Sequence, residues 1–388
     1  MFIMVKRIHW NAFVEKLWAN KNIIWLAGVR RVGKTFLCRA IEDIKYFDCE
    51  LPSVRNAMED PEGFLKNFRG ARLALDEIHK LKNPSELLKI AADYFPETKV
   101  IAAGSSVLAA AKKFKDTLTD RKRDLWLTPA NSADMADFGL PSIDARLFNG
   151  GLPPYFMAEK PSERDYYDWM ENYWARDVQD IFNVGKRGAF IKFAELLLAR
   201  SGGIFEASSY SAPCEISRGT VQSYLNILEA TFVAHFIRPF SRRGAAEIIS
   251  APKVYAFDTG FVRAFKGFGE LRPDDKGSLW EHLILNEVFS VGQSRRVNYW
   301  RDKQGHEVDF LLAPPGRKGL ALECKLREAE FNPKNLKVFA RHYPDFDLAV
   351  AASDVSVPHN KSLAGLDIKF VNLADVRGLL ETGGYVIA

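Results

Sequence analysis

The eight residues GVRRVGKT, Gly28 to Thr35, constrain this chain more than any other stretch. They follow IIWLAG (23 to 28), an apolar, β-branched run that reads as a buried strand ended by glycine. They precede FLCRAIEDI (36 to 44), which reads as a helix. A strand, a G-x-x-x-x-G-K-T loop and a helix in this order form a phosphate cradle. The glycines let backbone N–H groups curl around phosphate oxygens, and the helix N-terminus adds its positive dipole end. The spacing assigns Gly28, Val29, Arg30, Arg31, Val32, Gly33, Lys34 and Thr35 to a nucleotide. Lys34 reaches the β- and γ-phosphates and Thr35 holds Mg²⁺ in this reading, so ATP and Mg²⁺ are the expected cofactors.

A phosphate loop of this kind needs carboxylates. LALDE (73 to 77) supplies them at the end of an apolar strand. Asp76 is expected to hold Mg²⁺ through water, and Glu77 to polarise the attacking water. IAAGSS then ends another strand in polar residues. Ser105, or equally Ser106, would sense the γ-phosphate there; a plain strand-end serine fits the same position. Strands over 45 to 51, 71 to 78 and 98 to 106, with helical stretches near 84 to 93, predict an α/β fold on a parallel sheet.

This order of phosphate loop, Asp-Glu strand and serine-ended strand resembles an AAA-type ATPase of the archaeal-ATPase-like group, whose loop often reads close to GxRRxGKT. The resemblance implies an arginine after the sensor strand, within a Gly-Arg pair. The matching stretch is TLTDRKRDLWL, with Asp120 and Arg121 in that place. Arg121 is therefore the implied γ-phosphate sensor or finger. Read from the residues alone, Arg121, Lys122 and Arg123 form a solvated basic run. AAA-type sites are often completed across subunits, so a homo-oligomer stays open.

The chain has 388 residues, long for one core, and two or three domains are expected. Its net charge of +5 is mildly basic, which admits DNA or another nucleic acid as a partner without demanding it. Cys38, Cys49, Cys214 and Cys324 form no CxxC pair, as expected of a reduced, cytoplasmic protein. The first residues carry too short an apolar stretch for a signal peptide, and no run approaches the ~20 apolar residues of a membrane span.

After about residue 140 the pattern changes. GGLPPYF (150 to 156) is a turn-rich break, and residues 162 to 182 read as an aromatic-rich amphipathic helix. FAELLLARSG, FEASSYSA and SRGTVQSYLNILEA, followed by an apolar strand over 232 to 240, look like a winged helix-turn-helix, and 252 to 261 reads as another strand. Val221, Leu225 and Leu228 form one apolar stripe, while Arg218, Gln222 and Asn226 fall on a polar face. In a DNA reader that face would meet the major groove; in a packing module it would be solvated. GGLPPYF, YWARDVQDIF, TVQSYLNILEATF and PKVYAFDTGF also look like the C-terminal partner domain of those ATPases, a domain family of unknown function.

GHEVDFLLAPPGRKGLALECK (305 to 325) reads as a hairpin with Asp309 inside its first run and Glu323 and Lys325 at the end of its second. Glu323 and Lys325, two apart, share one sheet face. Such charges are costly on an apolar sheet unless compensated, and Mg²⁺ held by Asp309 and Glu323 would compensate them. Lys325 would then orient the attacking water or stabilise charge in phosphodiester hydrolysis. In KGSLWEHLILNEVFS, both Glu281 and Glu287 fall near the apolar helix face. This set resembles the restriction-endonuclease-like PD-(D/E)xK fold, in particular archaeal Holliday-junction resolvases with a Lys-Gly-Ser-x-x-Glu helix. Lys276, Gly277, Ser278 and Glu281 match that order, which favours Glu281 over Glu287 as the further metal ligand. The alternative is a degenerate nuclease fold whose acids pair with Arg301 or Lys303.

The expected architecture is multidomain α/β: a P-loop parallel-sheet ATPase domain over 1–140, a winged-helix-like middle over 141–270, and a nuclease-like α/β domain over 271–388. The expected function is ATP hydrolysis coupled to a nucleic-acid-binding or nuclease-like domain. The alternative is a nucleotide-dependent signalling or defence switch that recruits a protein partner through an inactive nuclease-like domain.

Overall fold

The computed structural model describes residues 5–104, 118–139, 142–182, 184–241 and 251–386. The first sheet forms where strand and helix alternate in the sequence. Among the described residues it has β1 (Ile23–Ala27), β2 (Ile44–Asp48), β3 (Arg72–Asp76), β4 (Lys99–Ala103) and β5 (Lys122–Trp126), in the order β2-β3-β4-β1-β5. Every pair is parallel. A parallel sheet needs cover on both faces, and side-chain alternation provides it. Ile24 and Leu26 of β1 enter one core cluster, and Ile23, Trp25 and Ala27 enter another. β5 differs from the sequence expectation, which left it within a basic stretch. Only Leu125 and Trp126 of this strand are buried, so no apolar run announces it. Because all five strands point the same way, the segments after β1, β3 and β4 meet at one edge.

The second sheet is mixed, in the order β12-β13-β11-β10-β9-β8-β6-β7. Its strands are β6 (Ala234–Pro239), β7 (Lys253–Ala256), β8 (Asn298–Arg301), β9 (Glu307–Leu312), β10 (Gly319–Lys325), β11 (Phe346–Ala352), β12 (His359–Leu363) and β13 (Leu366–Val371). The hairpin expected over 305 to 325 is present as β9 and β10, with Leu322 opposite Phe310 and Leu320 opposite Leu312. β6 pairs antiparallel with β7 and parallel with β8. One sheet therefore spans residue 270, where a division was expected.

The helices Arg187–Ala199, Ser208–Cys214 and Arg218–Ala230 precede β6, and Ile204 bridges Lys253. On Arg218–Ala230, Val221, Leu225 and Leu228 are buried, while Arg218, Gln222 and Asn226 are exposed. PKVYAFDTGF does not stay extended: β7 ends at Ala256, and Asp258 caps the helix Thr259–Lys266 by accepting from the Gly260 N–H. The helix expected over 162 to 182 is interrupted. Glu163–Tyr173 widens into a π-helical turn, Trp174–Val178, before Gln179–Phe182. One core cluster runs from Trp10 and Ile24 through Trp169 and Phe261 to Ile284, Phe310 and Leu322. The four cysteines are free and buried. Among the described residues no helix is long and apolar enough to cross a membrane.

Candidate functional site

The loop after β1 is shaped by glycines that no other residue could replace without strain. Gly28 has φ +147°, and a Cβ there would stand 2.5 Å from the Leu127 carbonyl oxygen. Gly33, with φ +102°, turns the chain into the helix Lys34–Ala40. Val29 and Val32 are buried and anchor the loop from below. Lys34 folds back over it, its Nζ donating to the carbonyls of Gly28 at 2.8 Å and Val29 at 3.1 Å.

β3 delivers the two acids into different roles. Asp76 is buried, and its Oδ2 accepts from Thr35 Oγ1 at 2.6 Å and from the Tyr46 hydroxyl at 2.8 Å. The Thr35 hydroxyl and the Asp76 carboxylate offer hard oxygen donors side by side, which suits Mg²⁺. At Glu77 the backbone turns left-handed, φ +51°, and leaves the strand line. Its carboxylate lies 3.2 Å from His79 Nδ1. Burial pushes the Glu77 carboxyl above its ordinary range, and Lys34 pulls it partly back.

Lys34, Thr35, Glu77 and His79 line a cavity of about 740 Å³, within the usual size of small-molecule sites. Gly28, Gly33, Lys34, Thr35, Glu77 and Gly104 line it from the first sheet's side of the sequence, and Pro153, Met157, Arg176 and Asp177 line it from the middle segment. Phe36, 56% exposed, and Met157, 40% exposed, give the cavity an apolar flank. Several bonds tie the loop to distant segments. Arg7 Nη1 donates to the Val32 carbonyl at 2.9 Å, Trp169 Nε1 to the Arg30 carbonyl at 3.2 Å, and Arg31 Nη1 to the Tyr155 hydroxyl at 3.4 Å. The spacing of the motif predicts none of Arg7, Tyr46, Trp169 or Asp177; a tyrosine in a strand or an acid in a helix carries no such signal.

Arg121 does not reach this cavity within the chain. It precedes β5, whose Lys122 pairs with Ile23 at the start of β1, so it lies at the opposite sheet edge from the loop. Five strand residues at about 3.3 Å each separate the two edges. Arg121 bonds there to Asp93, Nε to Oδ1 at 2.7 Å. Among the described residues, Arg176 of the middle segment lines the cavity and Arg121 does not. Ser105 and Ser106 lie outside the described residues.

In the second sheet, Glu281, Asp309, Glu323 and Lys325 come near one another where the helix Pro273–Gly292 crosses β9 and β10. Asp309 Oδ2 accepts the Cys324 N–H at 2.8 Å, Lys325 Nζ donates to Glu323 Oε1 at 2.8 Å, and the Tyr255 hydroxyl donates to Glu281 Oε2 at 3.1 Å. Burial, then Asp309, pushes Glu281 up to about 7 and Glu323 up to about 8. The acids expected to hold a metal, Glu281, Asp309 and Glu323, are not gathered into a ligand set in this structure. Among the described residues no three His, Cys, Asp or Glu side chains converge closely enough to hold a metal ion. Ammonium groups supply the compensation instead. Lys253, 6% exposed, donates to Glu307 Oε1. Burial works against its charge, but Asp309, Glu307 and Glu281 outweigh it and raise its pKa. Arg301 also pairs with Glu307 at 3.6 Å, while Lys303 is exposed. Glu287 goes elsewhere: fully buried, it accepts from the Ser132 N–H at 2.8 Å and Oγ at 2.7 Å. Lys276 pairs with Asp144. Lys253, twenty residues before the helix, is a lysine opening an apolar strand, and that oddity is the only signal that could have found it.

Residues 20–135 match the family model of an AAA domain. Residues 140–272 and 276–376 match two domains of unknown function, DUF8612 and DUF4143. Uncharacterized proteins of Mycobacterium tuberculosis and Mycobacterium bovis are each 24% identical over 307 residues, covering 76% of this chain and 68% of theirs. A Walker-type ATPase of Pyrococcus abyssi is 15% identical, covering 68% of this chain and 96% of its own, with a TM-score of 0.45. DnaA of Aquifex aeolicus bound to AMPPCP is 16% identical, covering 59% and 89%, with a TM-score of 0.29. The N-terminal part thus has a P-loop ATPase-like fold on a parallel sheet and matches the AAA domain model, and a mixed sheet follows in the C-terminal part.

Proposed function

We propose that this chain binds and hydrolyses ATP with Mg²⁺ and couples its nucleotide state to a nucleic-acid-binding or nuclease-like C-terminal part, acting in the cytoplasm. The observation that supports this most is the convergence of Lys34, Thr35 and Glu77 on one cavity, with Asp76 bonded to Thr35 behind it. Lys34 would exchange its two carbonyl partners for phosphate oxygens. Thr35 and Asp76 would hold Mg²⁺, which neutralises charge on the β- and γ-oxygens when bound. Glu77 would accept a proton from the attacking water, and Ser105 would sense the γ-phosphate. Arg218, Gln222 and Asn226 would meet DNA, and Glu281, Asp309, Glu323 and Lys325 would form the nuclease-like site.

One observation favours the second reading, a switch that recruits a protein partner: Lys253 and Lys325 already neutralise the C-terminal acids. Both readings need the phosphate loop. Lys34→Ala is expected to weaken ATP binding about a hundredfold, the loss of about 3 kcal/mol of charge-assisted bonding, and to reduce turnover to background. Turnover at the parent rate by this variant would refute the nucleotide assignment.

A further inference from the structure

The helix Glu163–Tyr173 does not run straight into Gln179–Phe182; the π-helical turn Trp174–Val178 lies between them. Such turns are uncommon and often mark functional positions. This one places Arg176 and Asp177 on the wall of the nucleotide cavity that faces the phosphate loop. Asp177 Oδ2 lies 3.5 Å from Arg30 Nη1, in the middle of the loop. That oxygen is buried and makes no hydrogen bond. Burial pushes the Asp177 carboxyl above its ordinary range, while Arg30 and then Lys34 pull it back. The same helical element grips the loop again through Trp169 Nε1 on the Arg30 carbonyl.

A carboxylate oxygen without a hydrogen-bond donor therefore faces Arg30 of the phosphate loop. A phosphate and a carboxylate compete for one guanidinium, and at close range they repel each other. We propose that Asp177 is a positioning residue for Arg30: in the nucleotide-free chain it holds the guanidinium as a stand-in for phosphate, and the terminal phosphate of ATP displaces it. Displacement releases the π-turn from the loop, so the middle segment reads whether the terminal phosphate is present. This inference rests on the ATP-binding reading and adds to it the contact that reports occupancy.

The test uses the full chain. ATP and ADP binding are titrated for the parent, Asp177→Asn and Asp177→Glu, and hydrogen–deuterium exchange is followed over residues 163–182. Asp177→Asn is expected to bind ATP about tenfold more tightly, a usual size for coupling between sites, with a clearly smaller gain for ADP. Asp177→Glu, which keeps the charge, is expected to bind as the parent does. In the parent, ATP but not ADP is expected to speed exchange over 163–182. A folded Asp177→Asn that binds ATP no more tightly, or gains equally for ATP and ADP, overturns the proposal. So does a parent whose exchange over 163–182 ignores ATP, a measurement that needs no variant. If the parent binds neither nucleotide, the ATP-binding reading falls and this inference with it; if it binds ATP and only these differences are missing, the inference alone falls.

Discussion

Asp76 and Glu77 are neighbours in sequence, yet one backbone angle gives them different chemistry. Asp76 ends its strand buried under Thr35 and Tyr46, where it can only hold what Thr35 holds. Glu77, at φ +51°, swings into the cavity, half-buried and with its carboxyl raised. Glu77→Gln is expected to keep ATP binding while lowering turnover by about 10²–10⁴, the usual contribution of a general base. A base works only when unprotonated, and burial raises its pKa. Parent turnover should therefore fall with acid at a pH above the ~4.3 of an ordinary glutamate, and the residual rate of the Gln variant should lack this limb. Rate profiles across the acid range check this; an identical limb in both proteins would assign it to another group. At this scale the placement was legible in the sequence, because LALDE and GVRRVGKT bring Lys34, Thr35, Asp76 and Glu77 together from two contiguous stretches.

At the scale of elements, the β9–β10 hairpin was legible from its two apolar runs and the Pro-Pro-Gly turn between them. Its chemistry was not. Whether Asp309, Glu323 and Glu281 take a metal depends on what stands beside them, and β7 brings Lys253 there from the middle segment. Removing one partner of a buried ionic set leaves the others uncompensated. Lys253→Met is expected to destabilise the chain by about 3–5 kcal/mol in denaturant unfolding. A loss below about 1 kcal/mol would show that the ammonium is not what balances these acids. The interrupted helix after Glu163 teaches the same lesson. Its amphipathic pattern predicts a helix throughout, and the π-turn appears only where the helix must meet the phosphate loop.

At the scale of the whole molecule, one core cluster runs through all three expected units, and the last two also share the mixed sheet. Polar bonds cross the same joints. Arg7 holds the Val32 carbonyl of the loop and also Asp134, at 2.7 Å through Nε and 2.5 Å through Nη2. Ser132, two residues away, bonds to Glu287 on the helix that carries Glu281. The loop and the C-terminal acids thus sit on one continuous packed frame. If DNA is the partner, ATP turnover should rise with DNA and the gain should shrink steeply as salt increases. A flat response would favour the protein-partner switch. If the C-terminal acids draw together around Mg²⁺ on DNA, Mg²⁺-dependent nicking of branched or linear DNA should appear in the parent and disappear in Asp309→Ala; equal cleavage by both proteins would identify a contaminant.

The sequence by itself determined the phosphate loop, its two acids, the alternation that builds a parallel sheet, and the hairpin that carries Asp309, Glu323 and Lys325. These rest on spacing within a few residues, which local backbone geometry translates directly into a cradle, a strand end or a turn. Tertiary structure alone decided which distant groups complete each site. It placed Arg121 on Asp93 at the far edge of the sheet, set Asp177 against Arg30 across 147 residues of chain, and put Lys253 among the C-terminal acids. Charges act through space, and burial sets their strength; neither quantity exists until the chain has packed.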